Sequence, residues 1–475
     1  MLDWLKKHHS QIFLVLVYLL TFLYLIYPYS DFDWGWHFRY GEYLVKTGKL
    51  LREDIFSWTL PGFAWANHSW LYDPLLYLLY TKIGFSGLSL AGALVAILIF
   101  FIGTRGFGLT YWQLGMLAIF YVKITQVTLE EGLRSQSLGL LLIVILVTLL
   151  VQSRKKPQVL YLVPPLFLLW ANLHGTFTLG LFLLFIFLVS GFILKFAHTW
   201  RLAAVTVLAI GLTLVNPFSH RVYIEGLKHL FNPWLENVME WQPTNFTCSS
   251  CNLPYFLAFL GLLAALFLAR RKIADLPYWL SLGFLAVQAF LHRRYLSMFI
   301  VAALPIASLL VAEAKISLER YKVTVLLFVV ISVVLLERGC FVRLPTYHLA
   351  HYTFDDYCRF STNCSPKLAE FLLANPPQGK GFNNYDWGGF FIGRGIQAKW
   401  FIDGRMHLWQ KAGYRPFADY LSIYYEKNTD LFNQYNFDWV ILRNDSPLMP
   451  ELKYNSLAWK TVFSDEKASY FTRKK

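Results

Sequence analysis

The sequence predicts an α-helical polytopic membrane protein with a C-terminal extracytoplasmic α/β domain, and three observations carry that prediction. Hydrophobic residues fill 56% and charged residues 15% of its 475 positions, too apolar a balance for a soluble core. Apolar runs recur near 11–28, 70–104, 110–127, 137–152, 158–171, 175–194, 202–216, 253–269, 276–291, 295–312 and 321–336, which makes about eleven spanning helices. From Leu344 the pattern changes to short alternating helix and strand signals. The expected division is a transmembrane part, 1–338, with a first outer loop at 29–70, and an outer domain, 339–475.

Lys6 and Lys7 precede the first run as in a signal peptide. No small-residue cleavage site follows, and Tyr24, Tyr27 and Tyr29 close the run, so it reads as a retained anchor. Run 70–104 is long enough for two helices, but Gly84, Ser86 and Gly87 mark a break, which suits a short interfacial piece followed by one span. Lys6/Lys7, Arg105, Arg154/Lys155/Lys156, Lys195/Arg201, Arg270/Arg271/Lys272 and Lys315/Arg320/Lys322 fall on alternate ends of the runs. The positive-inside rule makes those ends cytoplasmic, with the N-terminus inside and residues 340–475 outside. Two full crossings within 70–104 would break the alternation. The formal net charge of +14 is spread over these loops with no single basic stripe. That argues against nucleic acid and for anionic lipid or lipid-linked phosphate.

In this topology every unusual polar cluster lies on the outer face: Asp31/Asp33/His37, Glu130/Glu131/Arg134, Asn172/His174, Asn216 to Glu240, and His292/Arg293/Arg294. A transporter needs ionisable groups near the bilayer midplane and an internal repeat, and the sequence has neither. The densest cluster is Asp31-Phe32-Asp33-Trp34-Gly35-Trp36-His37. Belt indoles and one capping Asp explain Trp34, Trp36 and one carboxylate. Paired carboxylates at a lipid–water boundary also suit a base or a metal ligand. Trp36 to Leu44 suits an interfacial helix ended by Gly48, and Asp54–Ser57 and Trp65–Trp70 again mix aromatic with polar residues.

Adjacent acids such as Glu130 and Glu131 are usually solvated, and a His between two apolar runs, as at His174, is most often a packing residue. Arg293 and Arg294 suit either headgroup snorkelling or a phosphate site, because guanidinium groups match phosphate oxygens in pairs. In the outer domain, helices are expected at Pro366–Ala374 and Phe417–Tyr425, strands at Lys399–Ile402 and Asp438–Leu442, and a terminal hairpin at Trp459–Phe471. Tyr385-Asp386-Trp387-Gly388-Gly389 and Asp403-Gly404-Arg405 read as Gly-punctuated turns, placed at loop tips where an acceptor would bind. Cys248/Cys251 and Cys358/Cys364 suit two local disulfides with Cys340 free, or together a zinc site.

The order of these features resembles the C-type (GT-C) membrane glycosyltransferases, polytopic enzymes that use lipid-linked sugar donors. Asp33-Trp34-Gly35-Trp36-His37-Phe38-Arg39 is similar to the start of the first outer loop in oligosaccharyltransferase catalytic subunits. Tyr385–Gly389 departs from their Trp-Trp-Asp-Tyr-Gly signature, so protein N-glycosylation is not expected. An Asp-rich Trp-His loop, Asn172-Leu173-His174, Asn216-Pro217, Glu240-Trp241 and Asp403-Gly404-Arg405 together resemble an uncharacterised bacterial branch of that superfamily.

The resemblance implies transfer of a sugar from a polyprenyl-phosphate donor to an extracytoplasmic, cell-envelope acceptor. Asp33 is the expected base, with Asp31 second; His292, Arg293, Arg294 and Arg39 are the expected donor-phosphate contacts. Trp36, His37, His174, Glu240, Trp241, Asp386, Trp387, Asp403 and Arg405 are the expected acceptor or sugar contacts. A divalent metal (Mg or Mn) on Asp33, Glu130 and Glu131 is the cofactor option. A non-enzymatic carrier or assembly scaffold for lipid-linked glycan is the alternative. An O-antigen-type polymerase or ligase fits less well, because it usually places its large loop between late spans.

Overall fold

Helices dominate the computed structural model, which describes residues 2–230, 232–248, 251–270, 272–314, 348–454 and 458–474. The apolar run at 321–336, the basic residues Lys315, Arg320 and Lys322, Cys340 and the 338/339 boundary lie outside the described residues. Five described helices are long and apolar enough to cross a membrane: Tyr72–Thr104, Ser135–Gln152, Leu253–Arg270, Ile273–Leu291 and Tyr295–Glu313. Shorter apolar helices cover Ser10–Tyr24, Pro157–Leu173, Phe177–Ile193 and Thr199–Thr213. Helices of this length and apolarity make the chain an integral membrane protein. The long helix Tyr72–Thr104 is interrupted where the glycines fall, with Gly84 at φ 59° and ψ −165°.

The described residues divide into two compact units. The first, the helical unit, comprises Met1–Pro28, Leu88–His220 and Glu236–His351. Ser135–Gln152 packs against Tyr295–Glu313, and the helices at 163–173 and 199–213 pack together. At one end Asp275, fully buried, accepts from Arg154 Nη1 at 2.9 Å and Arg270 Nε at 2.5 Å. Among the opposite ends, Asn172 Nδ2 donates to Val215 O at 3.0 Å and Asn252 Nδ2 to Gln126 Oε1 at 2.7 Å.

The second, the sheet unit, comprises Tyr29–Gly87, Arg221–Leu235 and Tyr352–Lys475. The first outer loop is therefore part of the same compact body as the C-terminal residues. Its sheet has the order β1-β2-β4-β3, with β1 Gly381–Asn383, β2 Trp439–Arg443, β3 Trp459–Ser464 and β4 Ala468–Arg473. β1 and β2 are parallel; β2/β4 and β3/β4 are antiparallel. Helices Pro366–Ala374 and Pro416–Tyr424, strand β2 and the terminal hairpin match the sequence expectation.

Three expectations are corrected. Lys399–Ile402 is not a sheet strand: Trp400 makes one parallel bridge to Ser57, and β1, unmarked by any long β-branched run, takes the sheet position instead. Tyr385–Gly389 is not a turn but the first half of helix Tyr385–Arg394. Its glycines let backbones meet. A Cβ on Gly35 would lie 1.8 Å from Gly389 O, so the crossing between helices Trp34–Thr47 and Tyr385–Arg394 requires bare backbone. Asp403-Gly404-Arg405 is a turn, but its two charged residues are buried, as described below. Both cysteine pairs, Cys248–Cys251 and Cys358–Cys364, are joined as disulfides, which removes the zinc alternative.

Candidate functional site

Helix Trp34–Thr47 begins at Asp33, and Gly48 ends it in the left-handed region at φ 68°. Asp33 occupies the N-cap position, yet its side chain makes no capping hydrogen bond. Its Oδ1 instead accepts from Trp36 Nε1 at 2.9 Å, and its backbone N–H donates to Asp31 Oδ1 at 3.1 Å. Simple capping therefore does not explain this carboxylate. Asp33 is partly exposed, whereas Asp31 is 1% exposed and its carbonyl accepts from Tyr357 OH at 2.7 Å.

Spacings of three and four bring Trp36, His37 and Tyr40 onto the face of Asp33. His37 stacks on Trp36 with ring centroids 3.5 Å apart, and its Nδ1 meets Asp73 Oδ1 at 2.5 Å. Asp73 Oδ2 accepts from Asn67 Nδ2 at 2.7 Å, and Asn67 Oδ1 accepts from Ser69 N at 3.0 Å. A short-range constellation thus runs Asp33–Trp36–His37–Asp73–Asn67. Sequence reasoning missed Asp73; the signal was an acid one residue before Pro74 at the start of an apolar run. Trp36 is 7% exposed, packed between His37, Tyr40 and Trp65, so it serves Asp33 as a donor and offers no open face for a sugar.

Beside this constellation lies a buried ion cluster. Arg405 grips Asp403 with two hydrogen bonds, Nε to Oδ1 at 2.7 Å and Nη2 to Oδ2 at 2.6 Å. The same Nη2 lies 2.8 Å from Asp54 Oδ1, and Nη1 donates to Tyr40 OH at 3.0 Å. Phe56 and Trp409 flank the guanidinium with centroids 5.3 and 4.9 Å away. All three charged side chains are 0% exposed. The two carboxylates hold Arg405 protonated far above neutrality despite burial, and burial pushes the Tyr40 phenol up to about 12, against the pull of Arg405. Asp403 and Arg405 therefore join loop 29–70 to the C-terminal fold and do not stand at an acceptor-facing tip.

Gly404, between them, touches the reactive candidate. A Cβ there would lie 2.1 Å from Asp33 Oδ1, so the Asp-Gly-Arg turn needs glycine where the first-loop carboxylate rests. Trp387 is fully buried with Nε1 donating to Thr362 O at 3.1 Å, so it is a core residue; Asp386 is exposed. Arg39 lies about 200° round the helix from His37, and is ion-paired with Glu42. It faces away from Asp33.

The remaining expected residues belong to the helical unit. Arg294 pairs with Glu240 at 2.9 Å and lies 4.4 Å from the Trp241 ring centroid. His292 Nδ1 donates to Trp241 O at 2.8 Å, and Arg293 Nε to Pro243 O at 3.4 Å. His174 Nδ1 accepts from Thr176 N at 3.2 Å, the arrangement of a packing turn. Glu131 is paired with Arg134, and Glu130 Oε1 accepts from Gln126 Nε2 at 2.5 Å. Among the described residues no three of His, Cys, Asp and Glu come together as a metal site, and Asp33, Glu130 and Glu131 do not form one.

No family model matches the sequence, and no curated protein matches it. Solved structures do. The structure of ArnT from Cupriavidus metallidurans bound to undecaprenyl phosphate matches at 13% identity and TM-score 0.54, covering 98% of both chains. Its apo state matches at 13% identity and TM-score 0.55, again over 98% of both chains. The Archaeoglobus fulgidus oligosaccharyltransferase, in complex with Zn and sulfate, matches at 12% identity and TM-score 0.53, over 91% of this chain and 68% of that one. The chain shares the fold of these solved structures.

Proposed function

We propose that this protein transfers a sugar from a polyprenyl-phosphate donor to an extracytoplasmic acceptor, with Asp33 as general base. The observation that carries the assignment is the Asp33 carboxylate itself: partly exposed, uncommitted to capping, and held by Trp36 Nε1. Deprotonating an acceptor hydroxyl requires a carboxylate in hydrogen-bond reach of solvent-accessible substrate. His37 and Asp73, at 4% and 1% exposure, lack that access and serve to fix Trp36 and the loop. Asp31 orients Asp33 through the backbone N–H. Charge on the departing lipid phosphate calls for a guanidinium. Arg293, which donates to the neutral carbonyl of Pro243, suits that role better than Arg294, which is paired with Glu240.

The test is turnover. Purified full-length protein, given labelled polyprenyl-phosphate sugars and cell-envelope extract, should release polyprenyl phosphate and label an envelope component. Saturable donor binding with no release of polyprenyl phosphate across the panel would sink the enzyme and favour the carrier reading.

The proposal requires the first loop and the C-terminal residues to lie outside the cytoplasm, with an odd number of crossings and a cytoplasmic N-terminus. Alternation of the basic loops supports this. So does Asp275, which gathers Arg154 and Arg270 from two loops assigned to the same side. A reporter that folds only in the cytoplasm should be silent when fused after Lys475. Activity there would overturn the orientation.

A further inference from the structure

The sheet unit has a concave surface on the side of helix Trp34–Thr47 that carries Arg39. It is a cavity of about 640 Å³ lined by Arg39, Phe56, Gln378, Gln397 and Lys399 with the 377–379 and 395–398 backbone. We infer that this cavity binds an acidic saccharide by its carboxylate or phosphate group. The choice of a saccharide rests on the glycosyl-transfer reading; the choice of an anion does not.

Charge decides the sign. Among the described residues no carboxylate lines the cavity, and the described lining carries two cations. Glu42 is shared between Arg39 and Lys46, so it offsets only part of the local positive charge. Lys399 Nζ is tethered to the carbonyl of Ile55, a neutral partner that places the ammonium without cancelling it. Arg39 Nε is likewise anchored, donating to Ile392 O at 3.1 Å. That carbonyl ends a helix and opposes an anion slightly, by a fraction of a unit charge. The positive charge that Arg39 and Lys399 retain after the share of Glu42 outweighs it.

Shape and polarity favour a sugar. Gln378 and Gln397 carry amides that both donate and accept, as sugar hydroxyls do. Gly379, at φ 85°, and Gly395, at φ 74°, adopt left-handed conformations beside the cavity. A Cβ on Gly395 would lie 2.2 Å from Arg39 Nη2, so glycine leaves room for the guanidinium. A cavity of this size falls within the range of ordinary small-ligand sites, roughly 300–1,000 Å³.

The experiment titrates full-length protein in nanodiscs with digalacturonate, galactose 6-phosphate, neutral galactobiose, inorganic phosphate and triglutamate. Digalacturonate and galactose 6-phosphate should bind saturably and compete with each other, and galactobiose should not compete. Lys399→Glu should weaken digalacturonate about tenfold or more, and Lys399→Arg should stay within about threefold, because the charge is kept. Thermal melting of both variants near the parent value would show that the fold is intact. Equal binding by galactobiose, or unchanged binding in Lys399→Glu, would overturn the proposal. Inorganic phosphate or triglutamate binding as tightly as the sugars would also overturn it, in favour of a plain anion site or a peptide site. Transfer is measured in parallel: binding without turnover in the parent defeats the enzyme reading alone, and turnover without acid-selective binding defeats this inference alone.

Discussion

Asp33→Asn is expected to lower sugar transfer about 10²–10⁴-fold, the usual loss on removing a general base. Expression, insertion and melting temperature should stay near the parent values. The reason is geometric: an Asn Oδ1 still accepts from Trp36 Nε1, as Asp33 Oδ1 does at 2.9 Å, and still fits beside Gly404. Only the negative charge and the basicity disappear. Asp31→Asn keeps an acceptor for the Asp33 N–H and should cost about tenfold, the effect of a supporting residue. Transfer from a polyprenyl-phosphate donor by the two purified variants beside the parent decides the matter. If Asp33→Asn turns over like the parent, the first loop is not the catalytic centre.

Arg405→Met should destabilise the fold by about 3–5 kcal/mol, because removing one partner of a buried ion cluster leaves the others uncompensated. Here two carboxylates, Asp54 and Asp403, both 0% exposed, would remain. Asp54 would keep its hydrogen bonds from Ser57 N at 2.9 Å and Ser57 Oγ at 2.5 Å, which orient it but do not neutralise it. Melting of the full-length chain should fall by roughly 10 °C. Arg405→Lys should fail as well, since one ammonium cannot reproduce the paired bonds to Asp403 together with the contacts to Asp54 and Tyr40. Adding Asp54→Asn and Asp403→Asn to Arg405→Met should recover much of the loss by removing the buried charges. A melting temperature for Arg405→Met within about 2 °C of the parent would show that the cluster is not a structural clamp.

These two residues illustrate what was legible in the sequence. The density of polar and aromatic residues at Asp31–His37 stood out without a structure, because belt indoles and one capping Asp leave a second carboxylate unexplained. Local periodicity likewise located helix Pro366–Ala374, strand β2 and the terminal hairpin. It failed at Tyr385–Gly389, where glycine suggested a turn although the residues begin a helix. Glycine there answers to a neighbouring backbone more than 350 positions away in sequence, and no local window contains that neighbour.

Composition along the chain was enough to give the class of the protein. Its apolar runs, too long and too numerous for a soluble core, and the alternation of its basic loops are properties of composition along one dimension. It also put Asp33 among the carboxylates to suspect, because that residue sits where a helix begins amid two indoles. The partners of each charged group became visible with the fold. It separated Asp33, partly exposed, from the buried Asp403, Asp54 and Asp73, which look equally reactive as letters. It turned Asp403-Gly404-Arg405 from an acceptor loop into a clamp with Gly404 against Asp33. A carboxylate's role follows from its burial and from the cation or donor it meets, and both are set by residues brought close in space from distant parts of the chain.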